Sequence, residues 1–198
     1  RPRFSHAAAE LDGKLYVVGG ITQPSGMPSG SSPQRLRTMD CFDMATQTWE
    51  AMPRMSATRA AFATAVLDGK LYVVGGVAAG ANVVANAVPN VDCFDPDARK
   101  WKSMPPMNSR RMDCSAAVVD GKLYVVGGLT SSSTATARVE RFDPATRTWE
   151  VMPSMATPRA NLDTAVIDGH LYALGGHDGN YLEWYDSMER FNPVTNAW

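Results

Sequence analysis

The chain has 198 residues, of which 44% are hydrophobic and 20% are charged, so it is long and apolar enough to bury a core. Its 19 basic and 20 acidic residues give a net charge of −1 without blocks of like charge, which disfavours nucleic acid and anionic membranes as partners. Because no long apolar run or secretory signal pattern occurs, we expect a cytoplasmic chain that does not cross a membrane.

A ten-residue stretch, LDGKLYVVGG, begins at Leu11 and recurs at 67–76, at 119–128 and, as IDGHLYALGG, at 167–176. Its Asp precedes the second Gly by eight residues in every copy, and a later Phe precedes a Trp by seven. The interval from the second Gly to that Phe is 22, 18, 14 or 15 residues, so nearly all length variation lies in one connection, where specificity usually resides. The pattern divides the chain into repeats at approximately 3–58, 59–110, 111–158 and 159–198.

Each repeat predicts four strands, named a to d. In the third repeat, strands a (115–119) and b (122–126) flank Asp120-Gly121, a signal for a tight hairpin with positive φ. The Gly-Gly after strand b indicates a turn or a close backbone approach. Strand c (138–142) follows the variable connection, and an Asp-Pro turn leads to strand d near the Trp.

The pattern R-x(8)-DGKLYVVGG-loop-[VM]-[DE]-x-F-[DN]-P-x-T-x-x-W-x-x-M-P-x-M resembles the kelch repeat, the unit of kelch β-propellers, across essentially the whole chain. The last repeat is especially similar to repeats of BTB-kelch proteins. The resemblance implies an all-β propeller with four four-stranded blades, the last truncated at Trp198. Since such propellers usually close with more blades, we expect part of a larger propeller; a four-bladed ring and a ring completed by two chains are the alternatives.

Alternating strand direction places the variable b–c loops and the d-to-a crossovers at the same end of the blades, here named the loop face. Strand a is expected to begin there, seven residues before each turn Asp, with the residue two positions later pointing the same way. These candidate positions are Ser5, Ala61, Asp113 and Asn161, followed by Ala7, Ala63, Ser115 and Asp163. Asp113 and Asp163 have no evident structural role, so they either contact a ligand or line a water-filled channel.

Further candidates lie where the variable loop meets strands b and c. The residues before strand c are Thr38, Asn90, Arg138 and Ser187. Arg138 and Ser187 are expected to surround a central pocket together with Asp113 and Asn161. The resemblance implies a peptide-contacting serine at this position, which only Ser187 keeps. It also implies a partner-contacting residue after Gly-Gly, where His177 is either a binding group or a solvated loop histidine. Trp184-Tyr185, in the same loop as Tyr181, either anchors an interface or folds back onto the last blade.

Residues that recur in every repeat are expected to be scaffold. The recurrent Arg, nine residues before the turn Asp, and an acid on strand c are predicted to tie crossovers and blades together. The Trp and the Met-Pro-x-Met crossovers are predicted to pack between blades. The apolar segment 77–89 either packs against a neighbouring loop or presents an apolar surface to a partner.

Cysteine and histidine numbers argue against disulfides and metal sites. Cys41, Cys93 and Cys114 are expected to be small buried hydrophobes. The three histidines lack the spacing of a zinc site, and no cofactor is expected.

These observations favour a protein-interaction module that binds a protein or peptide segment on the loop face. The BTB-kelch resemblance implies substrate recognition for a cullin-type ubiquitin ligase, through an adaptor domain outside these residues. Association with actin and the cytoskeleton is an alternative. A sugar-modifying kelch enzyme is a third, disfavoured class, which would need Asp113 and Asp163 as an acid/base pair. We therefore expect no catalytic activity.

Overall fold

The computed structural model describes residues 2–23, 33–78, 87–130 and 134–198. Within these ranges, every regular element is a β-strand. The described residues therefore contain no helix that is long and apolar enough to cross a membrane. The strands form three four-stranded antiparallel sheets and one three-stranded sheet in chain order, with one additional two-stranded sheet. The predicted all-β arrangement of four blades, with a shortened last blade, is therefore confirmed.

The strand bounds repeat from blade to blade. Blade 1 contains β1 (Ala7–Leu11), β2 (Lys14–Val18), β5 (Met39–Asp43) and β6 (Thr48–Met52), with a small hairpin of β3 (Ile21–Thr22) and β4 (Gln34–Arg35) in its b–c loop. Blade 2 contains β7 (Ala63–Leu67), β8 (Lys70–Val74), β9 (Val91–Asp95) and β10 (Lys100–Met104). Blade 3 contains β11 (Ser115–Val119), β12 (Lys122–Val126), β13 (Val139–Asp143) and β14 (Thr148–Met152). Blade 4 contains β15 (Asp163–Ile167), β16 (His170–Leu174) and β17 (Met188–Phe191).

The predicted turns between strands form as the sequence indicates. Asp120 and Gly121, between β11 and β12, both have positive φ values, 49° and 66°. This conformation matches the twist of a two-residue hairpin, and the other three Asp-Gly pairs repeat it. In the turn between β13 and β14, Oδ1 of Asp143 accepts a hydrogen bond from the N–H of Ala145 at 2.9 Å. The Asp therefore fixes the turn through its own side chain.

The Gly-Gly pair after strand b admits a neighbouring backbone. In blade 2, a Cβ on Gly75 would meet the carbonyl oxygen of Arg111 at 2.5 Å, and one on Gly76 would meet that of Ala60 at 2.5 Å. The N–H of Gly76 instead donates to the Arg111 carbonyl at 2.8 Å. The doublet thus joins the loop face of one blade to the crossover that enters the next, as predicted.

Blades pack front to back through aromatic residues. The rings of Tyr72 in blade 2 and Phe142 in blade 3 lie 6.2 Å apart, and equivalent pairs join the other neighbouring blades. The indole of Trp149 also donates a hydrogen bond to the carbonyl of Pro105 in the preceding crossover at 2.9 Å. Trp101 and Trp198 bond Pro53 and Pro153 in the same way. The prediction that Trp and the Met-Pro-x-Met crossovers pack between blades is confirmed for Trp101, Trp149 and Trp198.

The recurrent Arg and acid also belong to the scaffold. Arg111 donates from Nη2 to Oε1 of Glu140 at 2.7 Å, and from Nη1 to the carbonyls of Gly127 and Arg138. Arg111 and Glu140 are buried. The same ion pair recurs in the other blades, in Arg3–Asp40, Arg59–Asp92 and Arg159–Glu189. Charge-assisted bonds therefore tie each crossover to strand c, as the recurrence indicated.

The described blades form an open arc with exposed flanks. Hydrophobic clusters join blades 1 and 2, 2 and 3, and 3 and 4. On the outer flank of blade 1 the side chain of Trp49 is 60% exposed, and on that of blade 4 Ile167 and Met188 are 55% and 63% exposed. These flanks agree with the prediction that the four blades are part of a larger propeller.

Two further predictions concern buried apolar groups. Within segment 77–89, Val77 and Ala87 are buried in a cluster with the neighbouring loops, which supports the packing alternative for these two residues. Residues 79–86 lie outside the described residues. All three cysteines are buried and free, and burial raises the pKa of Cys114 to about 11. These thiols are small core groups, as expected.

Candidate functional site

The inner ends of the blades meet at the loop face through four equivalent residues. Ser5, Ala61, Asp113 and Asn161 precede strand a by two positions and have positive φ values of 50°, 54°, 51° and 50°. The prediction that strand a begins at these residues is therefore wrong by two positions. A left-handed residue interrupts the side-chain alternation of an extended strand, so Ser115 and Asp163 do not share their surroundings.

A row of backbone hydrogen bonds links these four positions. The N–H of Ala61 donates to the carbonyl of Ser5 at 3.0 Å. Asp113 donates to Ala61, and Asn161 to Asp113, both at 2.8 Å. The positive φ is thus stabilised by contacts between blades. It also fixes the spacing of three polar side chains around the propeller axis.

These residues line a cavity of about 240 Å³, here named the axial cavity. Ser5, Asp113 and Asn161 contribute its polar side chains, together with His6. Sequence analysis missed His6, because a strand beginning at Ser5 would have turned the next side chain away. The residues after the other left-handed positions, Phe62, Cys114 and Leu162, line the cavity as well.

Asp113 is the electrostatically unusual group of the axial cavity. Burial raises its pKa to about 6, from an ordinary value near 4. No cation or hydrogen-bond donor pairs with its carboxyl group among the described residues. An unpaired, partly desolvated carboxyl favours a ligand that donates a hydrogen bond or carries positive charge.

Ser115 and Asp163 are engaged elsewhere. The hydroxyl of Ser115 lies 2.8 Å from that of Thr164 and joins blades 3 and 4. Asp163 accepts a bond from the N–H of Thr164 at 2.8 Å. Neither residue lines the axial cavity, so the structure does not bring Asp113 and Asp163 together there as an acid/base pair.

His177 is fully buried, which corrects the expectation of a solvated or directly binding loop residue. Its Nδ1 accepts a hydrogen bond from the N–H of Gly179 at 3.0 Å. Burial lowers the pKa of His177 and so favours the neutral ring, whose proton then lies on Nε2. Nε2 lies 3.1 Å from Nδ2 of Asn161. Because both atoms would carry protons with this tautomer, the amide is assigned with its oxygen toward the ring, and Nε2 donates to that oxygen. The buried ring thereby orients a residue of the axial cavity.

The other side of His177 supports exposed aromatic residues. Tyr181 stacks on the imidazole with ring centroids 4.1 Å apart, and Trp184 lies 5.0 Å from it. Tyr181, Leu182 and Trp184 are 56%, 86% and 64% exposed, and they are named the aromatic cluster below. Tyr185 instead turns inward, with the guanidinium of Arg159 5.0 Å from its ring centre. Of the predicted pair, Trp184 thus faces solvent and Tyr185 folds back onto blade 4.

The residues before strand c lie away from the axial cavity. The carbonyl groups of Thr38, Asn90, Arg138 and Ser187 accept bonds from the N–H of the first Gly of each doublet. The hydroxyl of Ser187 also accepts a bond from Nη2 of Arg159 at 2.8 Å, and Nη1 of Arg138 donates to Oγ of Ser109. Thr38 lines a different cavity of about 500 Å³ on the outer flank of blade 1. The expectation that Arg138 and Ser187 surround the central pocket is therefore wrong, because strand c lies two strands outward from the axis.

No group of three or more His, Cys, Asp or Glu side chains in the described ranges is arranged to hold a metal ion. The arrangement provides hydrogen-bonding groups at the axis, an unpaired carboxyl and a supported aromatic surface. Such a combination is suited to binding.

Comparisons with known proteins cover nearly the whole chain. The family model described as Kelch motif matches residues 2–56, 58–108, 110–156 and 158–198. Human Kelch repeat and BTB domain-containing protein 12 is 31% identical over 62% of this chain and 21% of its own length. Human Kelch-like protein 33 is 35% identical over 64% of this chain and 22% of its own length. Kelch domain-containing protein 8B of Rattus norvegicus is 30% identical, with 61% of this chain and 34% of the relative covered.

The solved structure of YjhT shares the fold, with a TM-score of 0.79 at 19% sequence identity. The match covers 96% of this chain and 68% of that chain. This chain therefore spans about a fifth to a third of the curated relatives it matches, and about two thirds of the solved propeller. Four consecutive matches to the motif, each coinciding with one antiparallel blade, establish that the chain belongs to the kelch-repeat family.

Proposed function

We propose that the chain is a non-catalytic protein-interaction module that binds a segment of a partner across its loop face, between the axial cavity and the aromatic cluster. Kelch propellers are commonly protein-binding modules. The observation that carries the proposal is the joining of these two features through one buried group, His177, which contacts Asn161 on one side and Tyr181 and Trp184 on the other.

Charged groups that have partners lie inside the scaffold, whereas a carboxyl without a partner lies at the loop face, and this difference supports binding at the loop face. The recurrent charges between blades are paired inside the scaffold. At the axis, the Asp113 carboxyl lacks a partner among the described residues, and the aromatic side chains that contact His177 are exposed. Exposed, well-supported aromatic residues next to polar groups are typical of the few residues that dominate binding energy.

One relative, human Kelch repeat and BTB domain-containing protein 12, is named for a BTB domain together with kelch repeats. This likeness, with the similarity of 159–198 to BTB-kelch repeats, motivates a more specific proposal. The chain would recognise substrates for a cullin-type ubiquitin ligase in the cytoplasm, where the three free, buried cysteines suit a reducing environment.

The test is a pull-down from a cell lysate, read by mass spectrometry, that compares the wild-type chain with the Asp113→Ala/Asn161→Ala variant. We expect specific proteins to be retained by the wild type and lost from the variant, because the variant removes two polar groups of the axial cavity. Asp97→Ala, an exposed substitution with the same charge change, is the control and should retain the wild-type set.

All three proteins must be folded at the temperature of the pull-down, as checked by thermal unfolding, so that a lost partner reflects the surface and not the fold. Retention of the same proteins by the double variant would refute binding at the axial cavity. A cullin among the wild-type partners would support the ligase role.

A further inference from the structure

Backbone hydrogen bonds and ring stacking support the loop that carries the aromatic cluster. The N–H of Asp178 donates to the carbonyl of Glu183 at 3.2 Å, and the N–H of Tyr185 donates to that of Gly176 at 2.9 Å. Oδ1 of Asp178 accepts a bond from the N–H of Asn180 at 3.0 Å. With His177 stacked beneath Tyr181, the loop has little freedom left to lose, which favours tight binding.

Negative charge surrounds the cluster without compensation. Residues 178–186 contain three acids, Asp178, Glu183 and Asp186, and no basic residue. None of the three forms an ion pair among the described residues, whereas the acids on strand c are all paired. Burial raises the pKa of Tyr185, and the nearby carboxylates of Glu183 and Asp178 raise it further. Arg159, which approaches Tyr185, is engaged by Glu189.

Aromatic faces beside unpaired carboxylates attract cations for two reasons that act together. The ring quadrupole binds a cation with about 0.5–2 kcal/mol, and carboxylates add Coulomb attraction at the rim. The aliphatic part of an Arg or Lys side chain can also pack on an exposed apolar residue such as Leu182. The chain already uses this contact internally, where the guanidinium of Arg159 lies over Tyr185 and that of Arg141 over Tyr124.

We infer that the aromatic cluster, with Asp178, Glu183 and Asp186, is the subsite for an arginine or lysine side chain of the partner segment. The inference rests on the proposed function and adds the chemical class of the segment: a cationic residue flanked by apolar ones. Anionic and purely aliphatic segments are disfavoured by the uncompensated charge.

The probe is a random dodecapeptide library displayed on phage and selected against the immobilised wild-type chain. Fluorescein-labelled peptides from the selection are then titrated, by fluorescence anisotropy, against the purified variants. We expect selected peptides to be enriched in Arg or Lys next to an apolar residue. Their affinity should fall at least fivefold in Glu183→Gln/Asp186→Asn and below detection in Trp184→Ala.

A matched control separates local from global electrostatics. Asp68→Asn/Asp97→Asn removes the same two charges from exposed positions at the opposite end of blade 2 and should leave the affinity unchanged. Higher salt should weaken binding to the wild type more than to Glu183→Gln/Asp186→Asn. Blue-shifted emission of Trp184, obtained by difference from Trp184→Ala, would show the ring to be covered and would overturn the inference.

Selection of neutral or acidic peptides, or equal affinity of Glu183→Gln/Asp186→Asn and wild type, would also overturn it. If Asp113→Ala/Asn161→Ala abolishes binding while the Trp184 and Glu183/Asp186 variants bind normally, the proposed function stands and this inference fails. If no peptide is selected and the lysate yields no specific protein, both fail.

Discussion

Replacing Arg111 by methionine is expected to lower the free energy of unfolding by about 3–5 kcal/mol, the usual loss when one partner of a buried ion pair is removed. Arg111 is fully buried, and Glu140 is 1% exposed. Without the guanidinium, the Glu140 carboxylate remains in the core, and the N–H of Asn108, at 2.7 Å, is its one remaining donor within the described part of the chain. The carbonyls of Gly127 and Arg138 also lose the hydrogen bond from Nη1, and the Arg138 carbonyl keeps only the N–H of Gly127 among the described donors.

The matched control is the double substitution Arg111→Met/Glu140→Leu, measured by urea unfolding followed by tryptophan fluorescence. Because both charges are gone, no carboxylate is left without a counter-ion, and the loss should be clearly smaller than in Arg111→Met. Equal losses in the two variants would mean that packing of the Arg111 side chain, and not the buried charge, stabilises the blade.

The same substitution bears on the loop face. Arg111 lies two residues before Asp113, and its carbonyl accepts the bond from Gly76 of the preceding blade. The ion pair therefore holds the end of the crossover that delivers Asp113 to the axial cavity. A stability defect at Arg111 should for this reason be accompanied by weaker binding at the axis, even though Arg111 itself is inaccessible.

The blades could be predicted from the sequence because their determinants are local and repeated. Asp120-Gly121 specifies its turn from two adjacent residues, and the glycine doublet shows directly where a Cβ cannot be accommodated. The Arg–acid pairs and the Trp contacts join different parts of the chain. Because these residues occur in every repeat, the sequence alone could still identify them as structural and not as binding residues.

The site could be predicted only in part, because it depends on backbone conformations that residue types do not reveal. Nothing in the identity of Ala61 or Ser5 indicates a left-handed φ; contacts between blades impose it. That conformation decides that Asp113 and Asn161 line the axial cavity and that Asp163 does not. Pattern analysis recognised the exposed Trp184, but it missed that His177 supports the ring from within.

Asp113→Asn is expected to raise the free energy of unfolding at pH 8. At pH 4, loss of the carboxyl charge is expected to leave the free energy of unfolding unchanged. The folded-state pKa of Asp113 is about 6, above the unfolded value of about 4, so the folded protein binds the proton more tightly. This carboxyl therefore does not destabilise the fold below about pH 4. Its unfavourable contribution grows as the pH rises through the folded pKa and is complete above it.

A difference of about two pKa units corresponds to about 3 kcal/mol, which partial exposure of the side chain reduces to about 1–2 kcal/mol. Asparagine keeps the shape and removes the charge, and it also tolerates the positive φ, a benefit that does not depend on pH. Urea unfolding at pH 4, 6 and 8 separates the two contributions, because only the charge contribution changes with pH. Asp163→Asn, at an exposed position outside the axial cavity, is the control substitution.

A gain from Asp113→Asn that is equal at pH 4 and pH 8 would show that the carboxyl is well solvated and would remove the main electrostatic argument for the axial cavity. A gain confined to high pH would mean that the chain retains an ionised group at a position where it weakens the fold. Proteins commonly sacrifice stability in this way at binding sites. A partner that donates a hydrogen bond or positive charge to Asp113 would recover this free energy, so the pH at which Asp113 destabilises the fold is also the pH at which it favours binding most.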